Sequence, residues 1–206
     1  DEEGEPVGPI PDDPSTVVLP DVLFGGGFAY DIRGQASDAP ELGTRNNVTL
    51  TPEGAGLIAR ALGSRHWVGA RALVTQDHRE AGPALRREVV EGLRAIGLNV
   101  DTTDEFMPTG ATSRKALADG YDLTIQISGS HNPWYANGMK ITEKQNAAGE
   151  PDPDGIPSAV FGKALLDVQR VVETQSWRRD APMGTLTVFD GLVDEYINAL
   201  DAALPQ

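Results

Sequence analysis

Leu123-Thr124-Ile125-Gln126-Ile127-Ser128-Gly129-Ser130-His131-Asn132-Pro133 runs from an apolar alternation straight into a cluster of turn residues. Leu123, Ile125 and Ile127 recur with period two, which predicts a strand. Asn132-Pro133 and the later Asn137-Gly138 are loop dipeptides, and Met139 to Thr142 reads as the strand that follows. A serine, a histidine and a lysine (Ser130, His131 and Lys140) therefore lie close together at the end of a buried strand. The plainest reading of these residues is a structural turn, because Ser-Gly-Ser, Asn-Pro and Asn-Gly are common loop sequences.

Helices and strands alternate on either side of this stretch. Thr51-Pro52-Glu53 is a helix start, with Thr51 as N-cap, proline in the first turn and an acid beside it. Leu57, Ile58, Ala61 and Leu62 follow at helical spacing, and Gly63 ends the run. Ala72 to Thr75 reads as a short buried strand. Pro83 opens a second helix with Leu85, Val89, Leu93 and Ile96 as its stripe and Gly97 as its stop. Leu98-Asn99-Val100 begins another strand, and residues 112–118 form a weaker helix. Ser158 is read as the cap of a helix reaching Glu173, followed by a strand at 185–189 and a helix at 192–204.

Strands separated by helices require crossover connections. The expected class is α/β: a three-layer α/β/α domain with a mostly parallel sheet, plus the beginning of a second α/β domain. The expected divisions are an acidic, proline-rich, mobile or extended arm at 1–20, the main domain at 21–155, a connecting helix and linker at 156–183, and the start of the next domain at 184–206.

Composition narrows the function. The chain has no cysteine, which excludes disulfides, thiolate catalysis and zinc–thiolate sites, and a cytoplasmic location is expected. Asp and Glu outnumber Lys and Arg 31 to 17, for a net charge of −14. Nucleic acid and anionic membranes are poor partners for such a surface. A small anionic ligand needs a local positive pocket within it.

Two strings carry a resemblance. Ser128 to Pro133, followed by Asn137-Gly138-Met139-Lys140, resembles the phosphoserine loop of the α-D-phosphohexomutases, which read Thr/Gly-Ser-His-Asn-Pro and then Asn-Gly-Phe-Lys. Far upstream, Tyr30-Asp31-Ile32-Arg33-Gly34 resembles that family's N-terminal signature. It has the phosphomannomutase/phosphoglucomutase form rather than the Gly-Ile-Arg-Gly of phosphoglucosamine mutases. From Phe28 to Thr142 the order of elements is similar to the family's first domain. Thr75-Gln76-Asp77-His78-Arg79 stands where the family has Gly-Arg-Asp-x-Arg, so Gln76 departs from the pattern. Pro108-Thr109 stands at the family's Pro-Thr-Pro turn, with Gly110 in place of the second proline.

The resemblance implies an isomerase, an intramolecular phosphotransferase that interconverts hexose 1-phosphate and hexose 6-phosphate through a bisphosphorylated sugar. Carried over, Ser130 is the phosphoserine, Lys140, Arg33 and His131 assist transfer, and Tyr30 and Asn132 contact the substrate. Mg²⁺ is the implied cofactor, bound to Ser130 through its phosphate and to aspartates of an Asp-Gly-Asp-Gly-Asp-Arg loop that does not occur in this sequence. The implied partners are hexose phosphates and the remaining mutase domains, or a partner chain supplying them. The chain by itself is expected to be incomplete for turnover. Physically, phosphoryl transfer needs alignment and charge neutralisation, and Arg33 and Lys140 are suited to the second.

A rival reading is a non-catalytic binding or assembly module derived from the mutase domain, toward which Gln76, Gly110 and the acidic arm lean. Other motifs weaken on inspection. Gly54-Ala55-Gly56-Leu57-Ile58-Ala59 matches the dinucleotide pattern Gly-x-Gly-x-x-Ala, but its glycines fall inside the helix that starts at Thr51. His66, His78 and His131 lack metal-ligand spacing, and His66 and His78 read as surface loop residues.

Overall fold

The computed structural model describes residues 31–39 and 48–203. The acidic arm and Tyr30 lie outside the described residues. Along the chain run β1 (Ile32–Gln35), α1 (Pro52–Gly63), β2 (Arg71–Gln76), α2 (Gly82–Ala95), β3 (Asn99–Phe106) and α3 (Thr109–Asp119). There follow β4 (Leu123–Ile127), β5 (Ala136–Gln145), β6 (Ile156–Ala159), α4 (Lys163–Glu173), β7 (Leu186–Val188) and α5 (Leu192–Ala203).

One seven-stranded sheet has the order β1-β5-β4-β2-β3-β7, with β6 beside β5. The strands β4, β2, β3 and β7 are mutually parallel. β5 runs antiparallel to β1, β4 and β6, which makes the sheet mixed. The link from β4 to β5 is a short loop, too short for the crossover that a parallel partner requires.

Helices cover both faces. Ala72 and Val74 of β2 and Ile125 and Ile127 of β4 join the main core with α1, α2 and α4. Leu73, on the opposite face of β2, packs with Ala116 of α3 and Tyr121. Ala111 of α3 and Leu192 of α5 share a further cluster on that side with Met107.

The start of α1 is as the sequence predicts: the Thr51 side chain accepts a hydrogen bond from the Gly54 N–H at 3.0 Å. Gly54 and Gly56 are buried within α1. A Cβ added at Gly92 of α2 would lie 2.5 Å from the Gly56 carbonyl oxygen, so Gly56 and Gly92 serve close helix contact, and neither Gly54 nor Gly56 lies in a phosphate loop.

The segment from residue 184 supplies edge strand β7 beside β3 and places α5 against α3. Two readings are corrected. Ser158 does not cap a helix; it lies in β6 opposite Glu143, and α4 begins at Lys163. His66 is not a surface residue: it is buried, with Nε2 3.1 Å from Glu143 Oε2. Arg65 Nη2 donates to the other Glu143 oxygen at 2.8 Å. At Gly110, an added Cβ would lie 2.7 Å from the Tyr196 hydroxyl, so α5 packs closely over this glycine.

Candidate active site

β4 delivers the chain to its carboxyl end, where open α/β sheets bind ligands. The loop that follows is tightly bonded. The Ser130 N–H donates to Ser128 Oγ at 3.0 Å, and the Asn132 N–H to the Gly129 carbonyl at 3.0 Å. Ser130 has φ +55°, a left-handed conformation that non-glycine residues seldom take.

Arg33 arrives from the far end of the sheet. β1 pairs with β5 so that Arg33 stands opposite Gly138. A Cβ at Gly138 would clash with the Ile32 carbonyl and the Arg33 side chain, so the glycine of Asn137-Gly138 admits the arginine. Arg33 Nη1 donates to the Ser128 carbonyl at 2.6 Å, and Nη2 bonds the Asp31 carboxylate. Lys140, opposite Gln126 in the β4–β5 pairing, donates from Nζ to Thr109 Oγ1 at 3.0 Å.

These elements enclose a cavity of about 450 Å³. Arg33, Ser130, His131, Asn132 and Lys140 all line it, so the five described residues singled out from the sequence converge on one space. Two cationic side chains and several hydroxyls beside a single carboxylate, Asp31, can hold an anion against Ser130.

Sequence reasoning assigned no site role to Asp77, Arg79 or Thr109. Asp77 accepts the Gly129 N–H at 3.0 Å, and Arg79 donates to the Ser130 carbonyl at 2.9 Å. The string Asp77-His78-Arg79 was the available signal; Thr109 carried none beyond its place in the turn.

Among the described residues no three His, Asp or Glu side chains form a group able to hold a metal ion. Asp31 is engaged by Arg33. The donors that these residues offer, a serine hydroxyl and an ion-paired carboxylate, do not by themselves make a site for a divalent cation.

A sequence model described as phosphoglucomutase/phosphomannomutase, alpha/beta/alpha domain I, matches residues 29–163. The chain belongs to this family, the α-D-phosphohexomutases. Among curated phosphohexomutases, the phosphoglucosamine mutase of a Parafrankia species is 34% identical over 146 residues, 69% of this chain and 29% of that protein. The phosphoglucosamine mutase of a Nitratiruptor species is 31% identical over 136 residues, 66% of this chain and 29% of its own length. The Brucella abortus phosphoglucosamine mutase is 29% identical over 181 residues, 85% of this chain and 36% of that protein.

A crystal structure of a phosphoglucomutase/phosphomannomutase family protein from Burkholderia thailandensis shares the fold, with a TM-score of 0.67 and 24% identity over 90% of this chain and 36% of that one. The chain thus spans about a third of the length of the phosphohexomutases it matches. These curated relatives carry the phosphoglucosamine mutase name, whereas the Tyr30-Asp31-Ile32-Arg33-Gly34 form pointed to the phosphomannomutase/phosphoglucomutase type. Among the described residues no helix is long and apolar enough to cross a membrane.

Proposed function

We propose that this chain is the phosphoryl-carrying first domain of a cytoplasmic hexose-phosphate mutase, with Ser130 as the carrier. The reading is supported by the convergence of Arg33, Ser130, His131 and Lys140 on one cavity beyond the carboxyl end of β4. In the proposed cycle the Ser130 Oγ–P bond breaks as a bond from phosphorus to a sugar hydroxyl oxygen forms. The hydroxyl proton ends on the departing seryl oxygen. The bisphosphorylated sugar then turns, its other phosphoryl group passes to Ser130, and the isomeric monophosphate leaves.

Little covalent chemistry is asked of the protein in such a transfer; alignment and neutralisation dominate. Arg33 and Lys140 place positive charge around the group, and His131 hydrogen-bonds a phosphate oxygen or orients the loop. Tyr30 and Asn132 are the proposed substrate contacts. Mg²⁺ would be held by the seryl phosphate together with carboxylates from outside the described residues, and would supply further charge neutralisation. The remaining mutase domains, or a partner chain supplying them, complete the machine, and the 206-residue chain alone does not turn over.

The test is the intact mass of the protein from its natural host, with fragmentation to map a phosphate to Ser130. The same serine is then replaced in an assembly that contains the remaining domains. Loss of all mutase turnover in Ser130→Ala is expected, because the covalent intermediate itself is removed. Full activity of that variant would overturn the reading.

A further inference from the structure

We infer that Arg79 is a positioning residue for Ser130: it holds the serine in its left-handed conformation from outside the cavity and does not touch the transferred group. The inference rests on reading Ser130 as the phosphoryl carrier.

A guanidinium carries five N–H donors and no acceptor. In Arg79 all five are occupied. Nε donates to Asp77 Oδ2 at 3.2 Å. Nη1 donates to the Ala136 carbonyl at 2.9 Å and to the Pro133 carbonyl. Nη2 donates to the carbonyls of Ser130 at 2.9 Å and Asn132 at 2.8 Å. No donor is left for a phosphate oxygen, and Arg79 is not among the residues lining the cavity. Arg33 differs on the second count, since it lines the cavity itself.

What Arg79 holds needs holding. The left-handed conformation of Ser130 is disfavoured for a residue with a Cβ, which crowds the following carbonyl oxygen. Four backbone carbonyls, three from the loop and that of Ala136 at the start of β5, converge on one guanidinium, and their dipoles repel unless a cation lies between them. Asp77 completes the clamp. Its Oδ2 accepts from both Arg79 Nε and the Gly129 N–H, while its own N–H donates to the Ile127 carbonyl at 2.8 Å. The clamp is therefore anchored where β2 and β4 end side by side. The direction of the Ser130 side chain is set by an arginine 51 positions away. Lysine cannot take this place, because it has three donors on a point charge and no planar fork.

The experiment uses Arg79→Lys, with Gly129→Ala as an independent variant whose Cβ would strike the Arg79 guanidinium. Amide hydrogen exchange is measured on the chain, and kcat and KM on the assembly with the remaining domains. Both variants should speed exchange at the Gly129 and Asn132 amides by about tenfold or more while β4 stays protected. In Arg79→Lys kcat should fall about 100-fold with KM nearly unchanged, as expected for a misaligned reacting group. Unchanged loop exchange, or unchanged kcat, overturns the inference. So does loss of β4 protection in Arg79→Lys, which would make Arg79 a general folding residue. A wild-type protein with no phosphate at Ser130 refutes the carrier reading instead, while the exchange data still judge the clamp.

Discussion

Arg33 and Ser128 are 95 positions apart in the chain and meet through a 2.6 Å hydrogen bond from the Arg33 Nη1 to the Ser128 carbonyl. The contact exists because β5, leaving the serine loop, pairs with β1 on its outer side. Arg33→Ala removes a cation from the cavity and leaves the buried Asp31 carboxylate without that partner. Inorganic phosphate should bind at least about tenfold more weakly by calorimetric titration, and stability should fall by about 1–3 kcal/mol. Unchanged phosphate affinity would remove Arg33 from the proposed anion site.

Away from the cavity, Glu143 is fully buried between His66 and Arg65. Burial pushes its carboxyl up, but hydrogen bonds from His66, Arg65 and Gln145 outweigh this and hold it below the usual carboxylate value. A depressed folded-state pKa contributes stability that is present above the unfolded pKa and lost as pH falls through the folded value. Urea unfolding from pH 7 to 3 should show this acid-side loss, and Glu143→Gln should flatten it. At pH 7 the variant should be less stable by about 3 kcal/mol, since the Arg65 guanidinium loses its buried counter-charge. An unaltered pH slope would show that Glu143 is not the titrating group.

The contact between α1 and α2 tests the assignment of Gly54 and Gly56 to a helix. Gly92→Ala forces a Cβ to within 2.5 Å of the Gly56 backbone oxygen, and a helix backbone cannot yield as a side chain can. Thermal and urea unfolding should show a loss of about 1–3 kcal/mol, although alanine is the better helix former. A gain in stability would mean that the helices stand further apart.

The parts legible in the sequence are those with local causes. The Thr51 cap, the proline beside it and the following stripe all act within one or two turns, and α1 forms where they place it. The serine loop was legible because its residues are contiguous and the strand before it alternates. Three other features depend on distant partners. β6 exists through pairing with β5, so Ser158 looked like a cap although its conformation is set by Glu143 across the sheet. His66 sits after a helix, where exposure is usual, and is buried by an acid 77 residues on. The Arg79 contacts go to backbone carbonyls, which have no side-chain signature to read.

The left-handed Ser130 gives a stability prediction separate from its chemistry. Ser130→Ala and Ser130→Gly both remove the hydroxyl, so neither can carry a phosphoryl group. They differ in the Cβ, which is what disfavours a φ of +55°. Ser130→Gly should therefore be more stable than Ser130→Ala by about 1 kcal/mol in urea unfolding, even after the greater flexibility of unfolded glycine is counted. The glycine variant also relieves the strain that Arg79 holds in place. Arg79→Lys should then cost less stability in the Ser130→Ala background, where loss of the clamp lets the strained residue relax, than in the Ser130→Gly one, a coupling that a double-mutant cycle measures directly. Equal stability of the two serine variants would mean that the loop does not hold Ser130 left-handed in solution, and the clamp would have no strain to restrain.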